Sequence, residues 1–383
     1  MFDEKKSKKI LVVAGEASGD LHASHLVKAM LEMEPGLQFY GMGGEKLKEA
    51  GALILSDISE LSVMGITEVV SHLGRIYRVF KRLEKFLKND QPDLIILIDY
   101  PDFNLRLAKA AKRYNIPVLY YISPQIWAWR TSRIKKIGKL VNKMIVVFPF
   151  ELSLYEREGI DVSFVGHPLL DIVKVKKSRE ENIKRFGLDE QKITIGLMPG
   201  SRLSEAKKIL PPMIESAQQL SRQFGNLQFI LPVAPGLKKE EIVRLTEDTD
   251  LTITIADDSI YEVIDISYLV IVASGTATLE TALLSTPMVI IYKMSPLTYL
   301  VGRKLVKVDH IGMANIITGK KVVPELIQNE ATAERITREA TRMLEDSLYH
   351  QSICEELAST NKKLGKPGAS KRAAKIALKM LYH

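Results

Sequence analysis

Short runs of β-branched and aliphatic residues alternate along the chain with longer amphipathic segments, almost from end to end. Ile10–Ala14, Gln38–Gly41, Leu94–Asp99, Val118–Ile122, Met144–Phe148 and Ser163–Val165 read as strands. Between them Ser18–Glu32, Asn104–Tyr114 and Phe150–Glu158 carry helical spacing. Leu-Ile-Ile-Leu-Ile at 94–98 is apolar at every position, as a parallel strand covered on both faces must be.

From Lys174 to Gln191 the apolar pattern lapses into charged residues, which reads as a connection between domains. A second βα series follows, with strands at Ile193–Met198, Leu227–Val233, Leu251–Ala256, Tyr268–Ala273 and Met288–Tyr292. The pattern predicts an α/β protein of two Rossmann-like, doubly wound parallel-sheet domains facing a cleft, the GT-B arrangement. The expected divisions are an N-terminal domain over 1–172, a second over 173–366 and a C-terminal helix over 367–383. That helix follows Gly365-Lys-Pro-Gly368 and either crosses back to its own first domain or exchanges with a partner's in a homodimer.

The length of 383 residues suits two cores better than one. A single cysteine, Cys354, forbids an intramolecular disulfide and fits a reducing, cytoplasmic compartment. The lysines before Ile10 lead into a strand rather than into the apolar core of a signal peptide, and no apolar run is long enough to span a bilayer. Membrane contact is therefore expected to be peripheral. The net charge of +8 favours anionic partners. Neither a zinc-finger spacing nor an RNA-binding aromatic signature accompanies it, so nucleic acid is not expected.

In open parallel sheets ligands bind beyond the carboxyl ends of the strands, so the turns there are the places to look for chemistry. Gly15-Glu-Ala-Ser-Gly-Asp20 makes a tight turn without the spacing of a dinucleotide fingerprint, and Ser18 or Asp20 is suited to cap the following helix. Asp99, at the mouth of the 94–98 strand, is either a structural carboxylate or a base whose pKa burial has raised. Asp102 is expected to cap the helix after it. Ser123-Pro-Gln-Ile-Trp-Ala-Trp-Arg130 gathers both tryptophans beside Gln125 and a basic series, a combination suited to sugar rings and phosphates as well as to plain packing.

In the second half Gly200, Ser201 and Arg202 open a helix and form a candidate pyrophosphate cradle. Ser274, Gly275 and Thr276 offer N–H and hydroxyl donors after another strand, with Glu280 a turn and a half into the helix, placed to accept ribose hydroxyls. His167 reads equally as a site residue or a structural one. The only D-x-D, Asp248-Thr-Asp250, precedes a strand, and the seven histidines lack metal-ligand spacing. No metal and no cofactor is expected.

Taken together, Ala14–Asp20, Met64-Gly65, Ile98–Asn104, Ser123–Trp129, Gly166–Leu169, Leu197–Arg202, Ser274–Thr276 with Glu280, and Val323–Gln328 resemble the lipid-A-disaccharide synthase family over nearly the whole chain. The resemblance implies an inverting, metal-independent GT-B transferase. Its donor would be UDP-2,3-diacylglucosamine and its acceptor 2,3-diacylglucosamine 1-phosphate (lipid X), joined in a β-1,6 linkage with release of UDP. It implies Asp99 as general base, and Arg202 and Glu280 on the donor side. Glu16, Ser18 and Gln125 would lie towards the cleft and acceptor. It also places Asn315 near the nucleotide, although Gly312-Met-Ala before it departs from the family's Ser-Leu-Pro. A different GT-B enzyme, such as a UDP-N-acetylglucosamine 2-epimerase, is the alternative.

A lipid substrate gives the stretch from Leu61 to Leu87 a second reading. Val63, Met64, Ile66, Val69 and Val70 would contact acyl chains, and Arg75, Arg78, Lys81, Arg82 and Lys85 the anionic inner membrane surface. The plainer reading is a core-facing helix with a solvated basic side.

Overall fold

The structure, a computed structural model, describes residues 7–60, 69–129, 133–235, 237–257, 259–294, 299 and 310–382. The chain divides into two compact units, Met1–Asp171 with Leu364–His383, and Ile172–Lys363.

In the first unit the strands are β1 (Lys9–Ala14), β2 (Gln38–Gly43), β3 (Leu53–Asp57), β4 (Leu94–Ile98), β5 (Val118–Tyr121), β6 (Lys143–Val146) and β7 (Val162–Phe164). They form a parallel sheet in the order β3-β2-β1-β4-β5-β6-β7. β1 and β4 are adjacent, Ala14 standing opposite Ile98, and β4 is buried at all five positions. Two turns that carry candidate chemistry, after Ala14 and after Ile98, are thereby brought side by side. β3 is the strand the hydrophobic pattern does not reveal. It is an edge strand with a single fully buried residue, so its sequence, Leu-Ile-Leu-Ser-Asp, need not be apolar throughout.

Helices α1 (Ala17–Met33), α2 (Glu45–Glu49), α3 (Val69–Asn89) and α4 (Pro101–Arg113) connect the first strands. In α3, Val79, Leu83, Phe86 and Leu87 are buried in the core, spaced as one helical face. Arg75, Arg78, Lys81, Arg82 and Lys85 are exposed. From Val79 on, the apolar face packs on protein and the basic side faces solvent. Val63, Met64 and Ile66 lie outside the described residues, and Val69 and Val70 open α3.

The C-terminal helix Ala369–Tyr382 packs against α1 of its own chain. The small buried residues Ala373, Ala374 and Ala377 allow the approach. Its first turn is held by Asp171, which accepts from Gly368 N and Ala369 N at 2.6 and 3.0 Å. Arg372 donates twice to Val165 O, at 2.8 and 2.6 Å.

The second unit is built on β8 (Ile193–Met198), β9 (Leu227–Val233), β10 (Ile253–Asp257), β11 (Leu269–Ala273), β12 (Met288–Tyr292) and β13 (Glu325–Ile327), parallel in the order β10-β9-β8-β11-β12-β13. The charged stretch read as a connection between domains contains a helix, Arg179–Arg185, with a capping box between Ser178 and Glu181. Its burial rests on Asn182 and Ile183 alone, too few apolar residues to show as a periodic pattern. Among the described residues no helix is long and apolar enough to cross a membrane.

Candidate active site

Asp99 leaves β4 with φ 45° and Tyr100 follows with φ 44°, a left-handed pair that L-residues adopt only under constraint. The constraint is visible. The buried Asn104 carboxamide donates to Ile98 O at 3.1 Å and to Asp99 O at 2.8 Å, and the buried Tyr120 hydroxyl also donates to Asp99 O. Three hydrogen bonds thus converge on the two carbonyls around the bend. Burial, and after it the nearby Glu16 carboxylate, push the Asp99 carboxyl up to about 6. A carboxylate with that pKa is ionised at neutral pH yet basic enough to accept a proton from a hydroxyl in a transition state.

The first glycine-rich turn fits around this bend. A Cβ on Gly15 would stand 2.3 Å from the Tyr100 ring, so only glycine permits the packing. Glu16 precedes α1 at its exposed end, and Ser18 is half-buried in its first turn. Neither Ser18 nor Asp20 caps α1; Glu16 occupies the N-cap position, and its side chain makes no capping bond to the helix. Asp20 instead caps α2, accepting from Gly44 N, Lys46 N and Leu47 N at 2.6, 3.2 and 3.2 Å. Asp102 is likewise not a cap: Tyr100 holds the N-cap of α4, and Asp102 pairs with Arg133.

The loop after β5 exposes Gln125 and draws Trp127 inward. Trp127 Nε1 donates to Glu151 Oε1 at 3.2 Å, while Phe148 N donates to Glu151 Oε2 at 3.2 Å. Burial pushes Glu151 up to about 7. Glu151 belongs to no motif; a carboxylate directly after Phe148-Pro-Phe150, beyond an apolar strand, is the signal that marks it. His167 resolves as structural. It is buried, lowered to about 3, accepts from Leu169 N at 3.2 Å and packs on Phe148.

In the second unit the turns after β8 and β11 are neighbours, because these strands pair. Gly200 has φ 104°, and a Cβ there would approach Glu205 Oε2 to 3.0 Å. Arg202 is the N-cap residue of the 21-residue helix Leu203–Gln223 and pairs with Glu205 at 3.1 Å; Ser201 beside it is exposed. Ser274 and Gly275 lead into the helix Thr276–Leu283. Glu280 on that helix accepts from the Tyr261 hydroxyl at 3.1 Å, and burial raises both pKa values.

Asn315 lies inside the second unit. It is fully buried, and its carboxamide bonds inward: Nδ2 donates to Val323 O and Glu325 Oε1 at 2.9 and 2.7 Å, and Oδ1 accepts from Val322 N and Val323 N at 2.8 and 3.0 Å. Glu325 also accepts from Ile311 N and Gly312 N at 2.9 and 3.0 Å. The pair stiffens the 311–313 turn, which bonds to the β11 turn through Ser274 Oγ to Ile311 O (3.5 Å) and Met313 N to Thr278 Oγ1 (3.3 Å). Among the described residues no group of three His, Cys, Asp or Glu side chains gathers as a metal site would require.

Two parallel sheets with loaded carboxyl ends define a class of enzymes, and comparison with known proteins selects within it. A family model described as Lipid-A-disaccharide synthetase matches residues 10–380. The chain belongs to the lipid-A-disaccharide synthase family. The lipid-A-disaccharide synthase of Geobacter sulfurreducens is 51% identical over 378 residues, covering 99% of this chain and 98% of that one. Among solved structures, UDP-GlcNAc 2-epimerase from Neisseria meningitidis bound to UDP-GlcNAc superimposes with a TM-score of 0.64 at 15% identity, covering 97% of this chain and 100% of that chain. Acinetobacter baumannii MurG gives 0.57 at 15% identity, covering 97% and 99%. The structural likenesses carry the GT-B fold, and the sequence relatives make this family member a glycosyltransferase.

Proposed function

We propose that this protein transfers 2,3-diacylglucosamine from its UDP derivative to the 6-hydroxyl of 2,3-diacylglucosamine 1-phosphate, with inversion. The observation that carries the mechanism is the strained, hydrogen-bonded bend that presents Asp99 at the end of β4. Asp99 removes the proton from the acceptor hydroxyl as its oxygen attacks the donor's anomeric carbon. The bond from that carbon to the UDP oxygen breaks, and one direct displacement inverts the centre.

UDP leaves as a stable anion, so a single base suffices and the paired carboxylates of a glycosidase are not needed. In the second unit the helix dipole at Leu203 and the Arg202 guanidinium stabilise the growing diphosphate charge. Gly200, Ser201, Ser274, Gly275 and Thr276 supply close backbone and donor groups for the phosphates, and Glu280 accepts from the ribose. Asn315 acts from behind, through the 311–313 turn, because its own polar atoms are engaged. Glu16, Ser18 and Gln125 belong to the acceptor side. The exposed basic side of α3 supports peripheral attachment to an anionic membrane surface in the cytoplasm.

The test is a paired-substrate assay on the full chain. UDP should appear only when UDP-diacylglucosamine and the phosphorylated acceptor are both present, without added metal, and the product mass should be that of the disaccharide 1-phosphate. Turnover of water-soluble UDP-N-acetylglucosamine without an acceptor would favour an epimerase instead.

A further inference from the structure

A cavity of about 180 Å³ lies at the foot of α3, lined among the described residues by Glu60, Arg75, Arg78 and Arg82. Its back wall is fixed. Arg82 Nη1 donates to Leu55 O at 2.9 Å and to Ser56 Oγ at 2.7 Å, and pairs with Glu60 at 3.1 Å. The other two arginines are differently placed. Arg78 donates through Nε to Gly74 O at 3.4 Å, and no carboxylate among the described residues pairs with Arg75 or Arg78. Glu60 and Arg82 offset each other, so the lining keeps an excess of two positive charges. Arg75 and Arg78 lie three residues apart on one helix, close enough for both guanidiniums to reach a single anion.

The position of this cavity connects it with the reaction. Leu55 and Ser56 belong to the carboxyl end of β3, and Asp99 follows the carboxyl end of β4 in the same parallel sheet. Two strands separate them, a distance of about 14 Å between strand ends. α3 begins after β3, so its first turns, with Arg75 and Arg78, lie along the same carboxyl edge of the sheet as Asp99. Guanidinium groups are the side chains best matched to phosphate oxygens, through paired N–H donors.

We propose that Arg75 and Arg78 bind the phosphomonoester of the acceptor lipid, holding the far end of its sugar while Asp99 engages the hydroxyl. The inference rests on the transferase reading above, because it takes the acceptor to be phosphorylated. It assigns to this basic cluster a specific anion, beyond a general attraction to the membrane.

The experiment compares the wild-type chain with Arg75→Gln/Arg78→Gln, both assayed in neutral detergent micelles with the phosphorylated acceptor and with its dephosphorylated counterpart. A thermal melt confirms that the variant folds, as expected for exposed side chains. Loss of two charged hydrogen-bond donors is expected to raise the KM for the phosphorylated acceptor about tenfold or more. The KM for the donor and the saturated kcat are expected to stay within about twofold, and the dephosphorylated acceptor to be used equally poorly by both proteins.

An unchanged KM for the phosphorylated acceptor would overturn the proposal. If sedimentation with phosphatidylglycerol vesicles nonetheless fell, the arginines would be serving the membrane surface alone. An equal rise in KM for both acceptors would also overturn it, because the missing contact would not then be to phosphate. Absence of turnover by the wild type on both substrates would remove the transferase reading, and this site with it.

Discussion

The carboxamide of Asn104 holds the carbonyl of Asp99 at 2.8 Å, turning a residue five positions along the chain into the clamp on the candidate base. The same amide group reaches Ile98 O, so the end of β4 and the start of α4 share one support. Asn104→Ala takes its bond from Ile98 O and leaves Asp99 O with the Tyr120 hydroxyl alone. The expected loss is about 1–3 kcal/mol of stability, read from the denaturant midpoint. A fall in kcat of at least roughly tenfold should accompany it, because the base is no longer aimed.

Gly15 and Tyr100 meet where a methyl group cannot fit. Gly15→Ala is expected to force the Tyr100 ring aside and with it the bend at Asp99. Far-ultraviolet circular dichroism should change little, since the sheet itself is untouched. Turnover should fall by roughly a factor of ten or more, since small misplacements of a reacting group are costly.

The strands buried on both faces are legible in the sequence because nothing interrupts their apolar runs; Leu94–Ile98 and Leu269–Ala273 need no tertiary information. The short edge strands β3 and β13 are not, since each places a polar residue, Ser56 or Glu325, at a buried position where partners from elsewhere in the chain satisfy it. The site shows the same division. Asp99 and Glu280 announce themselves as carboxylates just beyond buried strands. Their supports do not, because Tyr120 lies 21 residues from Asp99, and Tyr261 19 residues from Glu280. Asp20 misleads for the same reason. It stands where a cap for α1 belongs, and its partners are 24 to 27 residues away in α2.

Tyr261 donates to one oxygen of Glu280, and among the described residues no hydrogen bond is found to the other, which the proposed mechanism gives to the ribose. Tyr261→Phe removes the hydroxyl and keeps the ring. The KM for the UDP-sugar should rise by roughly threefold to tenfold, the effect of one hydrogen bond, with kcat nearly unchanged. An effect on the acceptor KM alone would place Glu280 on the wrong substrate.

Burial of Asp99 also has a cost for folding. The carboxyl's ordinary value is 3.8, and burial pushes it up to about 6 in the folded chain. Between those values the folded state holds a proton that the unfolded state has released, so stability falls as pH rises through this window and stays lower above pH 6. Asp99→Asn cannot ionise and escapes the penalty. At pH 8 it is expected to be more stable than the wild type by about 1–2 kcal/mol, allowing for partial exposure to solvent. At pH 4 the difference should vanish. Thermal melts at the two pH values check both the size and the sign.

The most direct test of Asp99 as the base is the pH dependence of kcat/KM for disaccharide formation, measured on the wild type and on Asp99→Asn. The wild type should lose activity as pH falls, with a midpoint near the Asp99 value of about 6. The variant should fold normally, turn over roughly a hundredfold to ten-thousandfold more slowly, and lack that inflection. A variant with near-normal turnover, or with the same acid limb as the wild type, would contradict the account.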